Sequence, residues 1–109
     1  MGLMDLFKRN SPMDSGLEHF RQSENALLID VREAYEYQSG HIPGSINVPL
    51  GSIDLVAEAA AGVDAPLFVY CQSGARSRAA KRMLTGLGFR QVTDLGGIYR
   101  YHGKVEYQE

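Results

Sequence analysis

Two short runs, Ala26-Leu27-Leu28-Ile29-Asp30-Val31 and Leu67-Phe68-Val69-Tyr70, are apolar at almost every position. Continuous rather than alternating hydrophobicity marks a strand covered on both faces. The first run is broken near its end by a carboxylate, which places Asp30 at a strand's C-terminal end, and the second leads directly into Cys71. Elsewhere the period becomes helical. Ile53, Val56, Ala57 and Ala60 recur at i, i+3, i+4 and i+7, with Ser52 as a cap and Gly62 as a stop. Ala80, Met83, Leu84 and Leu87 form a second stripe, in a helix predicted to start near Ser77 and to end at Gly88.

Weaker signals fill the gaps. Asp14 or Ser15 can cap a short helix that carries Leu17 and Phe20 inward, and Glu33 to Ser39 reads as a helix ended by Gly40. His41-Ile42-Pro43-Gly44 is a turn, and short strands are predicted at Ser45 to Val48 and Gln91 to Thr93. Strands alternating with helices over short turns favour parallel pairing with right-handed crossovers, hence a three-layer α/β domain. In open sheets of this kind ligands collect beyond the strands' C-terminal ends. Asp30 and Cys71 both fall there.

At 109 residues, 44% hydrophobic and 22% charged, the chain has the length and composition of one globular domain. The pattern divides it into a short N-terminal extension over 1–12 and a single domain over 13–109. Met1 to Asn10 reads as an amphipathic turn without the basic leader and apolar stretch of a secretory signal; Leu6 stands where a myristoylation signal wants Ser or Thr. A formal charge of −2 leaves no overall attraction for nucleic acid or an anionic membrane, and no segment approaches the length of a membrane span. One cysteine forms no internal disulfide, which points to a reducing cytoplasm. His19, His41 and His102 stand singly, so no metal site is expected.

The chemistry concentrates at Cys71-Gln72-Ser73-Gly74-Ala75-Arg76-Ser77. A loop between a strand end and a helix start gathers free N–H groups and the positive end of the helix dipole, both of which favour thiolate over thiol. Gly74 lets the loop curl so that successive amides converge on the sulfur, and Arg76 adds a fixed charge. Arg78, Lys81 and Arg82 continue the basic character, although cations in a helix's first turn oppose its dipole by about 0.3–1 kcal/mol each. An anionic substrate would reverse that sign; a solvated helix face is an equally good reading.

Three segments in order resemble the rhodanese family over about Leu17 to Tyr107: Leu28-Ile29-Asp30-Val31-Arg32-Glu33 with Glu36-Tyr37 and Gly40 through Pro49; the Cys-x-Ser-Gly-x-Arg-Ser loop; and Val92-Thr93-Asp94-Leu95-Gly96-Gly97-Ile98. The resemblance implies a three-layer α/β/α rhodanese-like fold with a central, mostly parallel sheet of four or five strands. The activity it implies is sulfur transfer. Cys71 would take a sulfane sulfur from thiosulfate, a polysulfide or a persulfide, of low molecular weight or on a protein, and pass it to a thiol or cyanide. The amides of Gln72 to Arg76 would stabilise thiolate and persulfide, with no metal or organic cofactor and a monomer as the working unit. Asp30, Arg32 and His41 match family positions that support the loop. Related phosphatases and arsenate reductases resemble this fold but carry one more residue between Cys and Arg than the four found here. A carrier or regulatory module without turnover is the other alternative. Two departures stand out: Tyr99 or Tyr101 must replace the Trp frequent after the Gly-Gly-Ile segment, and only Ser11 to Met13 remains for the usual first strand.

Overall fold

The computed structural model describes residues 11–108; the amphipathic turn expected over Met1 to Asn10 lies outside them. Four strands, β1 (Leu27–Asp30), β2 (Ser45–Asn47), β3 (Leu67–Cys71) and β4 (Val92–Gly97), pair in the order β2-β1-β3-β4, parallel throughout. Both apolar runs of the sequence occupy the two central strands. Alternate residues of β3 enter opposite layers: Leu67, Val69 and Cys71 join one apolar cluster, Phe68 and Tyr70 the other. That is the period-two geometry of a strand covered on both faces.

The first layer is built by α4 (Ala75–Gly86) with Ile53 and Val56 from the 3₁₀ segment Leu50–Leu55 and the short helix α3 (Val56–Ala59). The opposite layer is α1 (Pro12–Gln22), whose Met13 and Leu17 pack on Leu28, Phe68 and Leu95. A fifth element, α2 (Ala34–Gln38), follows β1 and is closed by a reciprocal capping box between Glu33 and Glu36.

Several local expectations are corrected. Ser11 to Met13 form no strand: Ser11 caps α1 by accepting from the Asp14 amide at 3.0 Å, with Pro12 as the first helical residue, so the sheet has four strands. Asp14 and Ser15 therefore lie inside the helix they were expected to cap. Ser52 caps nothing; it sits within the 3₁₀ segment in a non-helical conformation. Helix α4 starts two residues earlier than predicted because Gly74, at φ 109°, turns the chain directly into it. At its other end Gly88 takes φ 104° while the Phe89 and Gly88 amides donate to the carbonyls of Leu84 and Thr85, a Schellman closure. Met83 and Leu87, expected inside, are about half exposed; the buried face is Ser77, Ala80 and Leu84. The last strand begins at Val92 and runs four residues past its predicted end at Thr93, to Gly97. Of the two candidates for the missing Trp, Tyr101 packs against the α1 layer and Tyr99 is exposed.

Candidate functional site

Strand β3 delivers Cys71 to the C-terminal edge of the sheet, and Gly74 reverses the chain into α4 so that the helix's first turn closes over the sulfur. The amides of Gly74 and Ser77 donate to the Cys71 sulfur at 3.0 and 3.3 Å. The Ser77 hydroxyl lies 3.5 Å from the sulfur and also within reach of the Gly74 and Gly96 carbonyls, at 3.2 and 3.5 Å. In the thiol form S–H donates to that oxygen. Once the proton has left, the hydroxyl can turn its own proton from a carbonyl to the sulfur.

Burial of the Cys71 side chain, 1% exposed, pushes its pKa up. That push is outweighed by the Ser77 hydroxyl and the amides of Ser77, Gly74 and Ser73, so the thiol lies below its ordinary value. The groups that lower it are short-range dipoles rather than a charged side chain. Of the loop amides expected to face the sulfur, over Gln72 to Arg76, those of Ser73 and Gly74 act on it, joined by the Ser77 amide just beyond; the Gln72 side-chain oxygen accepts from Arg32.

Strand β4 forms the neighbouring wall. Between Val69 and Tyr70 the β3–β4 register shifts by one residue, Gly96 adopts φ 85°, and its amide donates to the Asp94 carboxylate at 2.9 Å. This bulge brings Gly97 opposite Cys71. A Cβ on Gly97 would collide with the Gln72 carbonyl oxygen and the Tyr99 ring, so only glycine permits the loop to pass so close.

Arg76 is not a free charge. Its two terminal nitrogens meet both Glu36 oxygens at 2.6 and 3.0 Å, an end-on fork that ties the loop to α2. Each partner moves the other: Arg76, followed by the Glu33 amide, holds the Glu36 carboxyl below the usual carboxylate range, and Glu36 raises Arg76. In the sequence Glu36 stands out only as part of the segment that follows β1. The Glu33-x-x-Glu36 capping-box spacing was the available signal, since it fixes where the Glu36 side chain stands.

Asp30 and Arg32 form a buried pair at the end of β1, 2.8 Å at closest approach. Arg32 is a hub: its guanidinium also donates to the Gly40 carbonyl at 2.7 Å and the Gln72 side-chain oxygen at 3.3 Å, joining strand, turn and loop. Burial lowers the Arg32 pKa, but the hydrogen bonds and charge of Asp30 more than reverse this. His41 does not join the cradle. It stacks on Tyr37 at 3.7 Å, places Nδ1 2.8 Å from the Tyr37 carbonyl, and bridges through its backbone to Glu106. Its turn is also pinned by Tyr70, whose hydroxyl accepts from the Ile42 amide and meets Ser45, each at 3.1 Å. Burial, reinforced by the nearby Asp30 charge, raises the Tyr70 pKa, so that phenol stays neutral. Arg78, Lys81 and Arg82 are exposed. Among the described residues, no group of three or more His, Cys, Asp or Glu side chains could hold a metal.

A parallel α/β sheet that delivers a single cysteine into a cradle of backbone amides defines a class of proteins built around a nucleophilic thiol. The chain belongs to the rhodanese-like domain family, whose model matches residues 14–104. It is 38% identical over 95 residues to the thiosulfate sulfurtransferase GlpE of Pseudomonas savastanoi pv. phaseolicola, covering 86% of this chain and 85% of that one. YrkF of Bacillus subtilis is 36% identical over 95 residues, covering 83% of this chain, which spans only 51% of that longer protein. Among solved structures, a rhodanese with anions from E. coli superposes with a TM-score of 0.72 at 31% identity, over 76% of this chain and 99% of its own.

Proposed function

We propose that the protein is a sulfurtransferase in which Cys71 carries the sulfur. The carrying observation is the sulfur's environment, with amides of Gly74 and Ser77 at 3.0 and 3.3 Å and a thiol pKa held below normal despite burial. The relatives' names, the thiosulfate sulfurtransferase GlpE among them, support the same activity.

In the first half-reaction the Cys71 thiolate attacks the outer sulfur of thiosulfate, a polysulfide or a persulfide. A sulfur–sulfur bond forms to Cys71, and the donor's own sulfur–sulfur bond breaks with its electron pair leaving on sulfite or a shorter thiolate. In the second, a thiol or cyanide attacks the outer sulfur of the Cys71 persulfide and the pair returns to Cys71. Neither half needs an outside oxidant or reductant. Ser73, Gly74 and Ser77 hold the sulfur anion in both resting and loaded forms. Gln72, Ala75 and Arg76 shape the loop, Glu36 fixes Arg76, and the Asp30–Arg32 pair anchors Gln72. His41 keeps the adjoining turn in place.

One chain supplies every one of these groups, so a monomer suffices as the working unit. A single thiolate relay suits a reducing compartment such as the cytoplasm; among the described residues no helix is long and apolar enough to cross a membrane. Steady-state thiocyanate formation with thiosulfate and cyanide tests the reading. Parallel double-reciprocal lines are expected, the mark of a ping-pong cycle, with activity lost in Cys71→Ser. Undiminished turnover by Cys71→Ser would sink it.

A further inference from the structure

Two of the cations around the loop are already engaged, Arg32 by Asp30 and Arg76 by Glu36. Arg78 and Arg100 are not: neither pairs with a carboxylate among the described residues. Both line a recess of about 240 Å³ beside the loop, whose walls include Ser73, Gly74 and Gly97. Tyr99 sets the pose of Arg100, accepting from its Nε at 2.7 Å with the guanidinium carbon 5.3 Å from the ring centre. No partner of the terminal Arg100 nitrogens occurs among the described residues. Asp94 also lines the recess, but its Oδ1 accepts from the Gly96 amide, and two cations outweigh one carboxylate.

Size and charge together restrict the occupant. The volume lies below the ~300–1,000 Å³ of pockets for drug-sized ligands, so it suits one end of a small molecule rather than a protein segment. The two guanidinium groups without a carboxylate partner suit an oxyanion that presents a pair of accepting oxygens, as a carboxylate does. An anion there also accounts for Arg78 in the first turn of α4, where a cation otherwise opposes the helix dipole. Gly74 is shared: its amide faces the Cys71 sulfur while the residue lines the recess.

We propose that this recess binds the carboxylate of a small thiol acceptor, whose thiolate reaches the Cys71 persulfide across the Ser73–Gly74 wall. The inference rests on the sulfurtransferase reading and names its acceptor class. The acceptor thiolate attacks the outer sulfur, the bond from that sulfur to Cys71 breaks with its electron pair returning to Cys71, and the acceptor leaves as a persulfide.

Three acceptors of similar length test it: mercaptopropionate, mercaptoethanol and cysteamine, which are anionic, neutral and cationic away from the thiol. With thiosulfate as donor, kcat/KM per thiolate is expected to fall in that order, by about tenfold from first to last, a difference of about 1.4 kcal/mol. Replacing both cations (Arg78→Gln with Arg100→Gln) should flatten the series through KM, whereas Arg78→Lys with Arg100→Lys should keep it. Equal use of the three by the wild type, or an order that survives the glutamine pair, overturns the subsite. If intact mass finds no sulfur on wild-type Cys71, the sulfurtransferase reading itself falls and takes the subsite with it. Sulfur loading with equal use of the three acceptors removes the subsite alone.

Discussion

Ser77 has two tasks at once: it is fully buried in the face of α4 that packs on the sheet, and its amide and hydroxyl both address the Cys71 sulfur. Removing the hydroxyl alone, in Ser77→Ala, should raise the Cys71 pKa and move the acid limb of the activity profile to higher pH. Below that limb the rate should fall about ten- to a hundredfold, since a hydrogen bond to a charged group contributes about 1.5–3 kcal/mol and tenfold in rate is 1.36 kcal/mol. A pH–rate profile measures this directly; an unmoved limb would mean that the hydroxyl does not hold the anion. Gly97→Ala should act differently. Its Cβ would collide with the Gln72 carbonyl, so sulfur loading should drop several-fold with the cysteine itself untouched. The loop's residue types were legible in the sequence, because Cys, Gly, Arg and Ser at that spacing announce a curled amide loop. Which amides converge, and that Arg76 is spent on Glu36, were not, since the partner lies forty positions away and only folding brings α2 to the loop.

Among the elements, the two central strands were readable because burial on both faces leaves an unbroken apolar run. Helix α4 was readable in existence and partly in orientation: Ala80 and Leu84 are buried as the pattern predicts. Its four apolar positions suggested the inner face, yet the buried set is Ser77, Ala80 and Leu84, and Met83 and Leu87 lie on the flank. A serine satisfied by loop carbonyls counts as core here, and no hydrophobic pattern detects that. Leu84→Ala should cost about 2–5 kcal/mol, read from urea unfolding, because it empties the layer beneath β3. Truncating the exposed Leu87 should cost well under 1 kcal/mol. The β4 bulge was hidden too: the apolar pattern ends the last strand at Thr93, whereas the Asp94 carboxylate and the left-handed Gly96 extend pairing past the irregularity to Cys71.

At the scale of the molecule, a buried ion pair joins the end of β1, the Gly40 turn and the Cys71 loop. Asp30→Asn would leave Arg32 buried without its counter-charge and should destabilise the fold by about 3–5 kcal/mol, measured by chemical denaturation. The cradle also couples to global stability. Because the folded Cys71 pKa lies below the ordinary thiol value, its contribution grows as pH rises through the folded value, is complete above the unfolded value, and is lost on acidification through the folded one. The melting temperature of wild type relative to Cys71→Ser should therefore rise with pH across that window. The claim on which the whole account stands is that Cys71 accepts and keeps a sulfur. Intact-mass spectrometry after brief exposure to thiosulfate, before any thiol is added, tests it most directly. The wild type should gain one sulfur, removed by added cyanide, and Cys71→Ser none; no gain on the wild type, or an equal gain on both, would contradict sulfur carriage by Cys71.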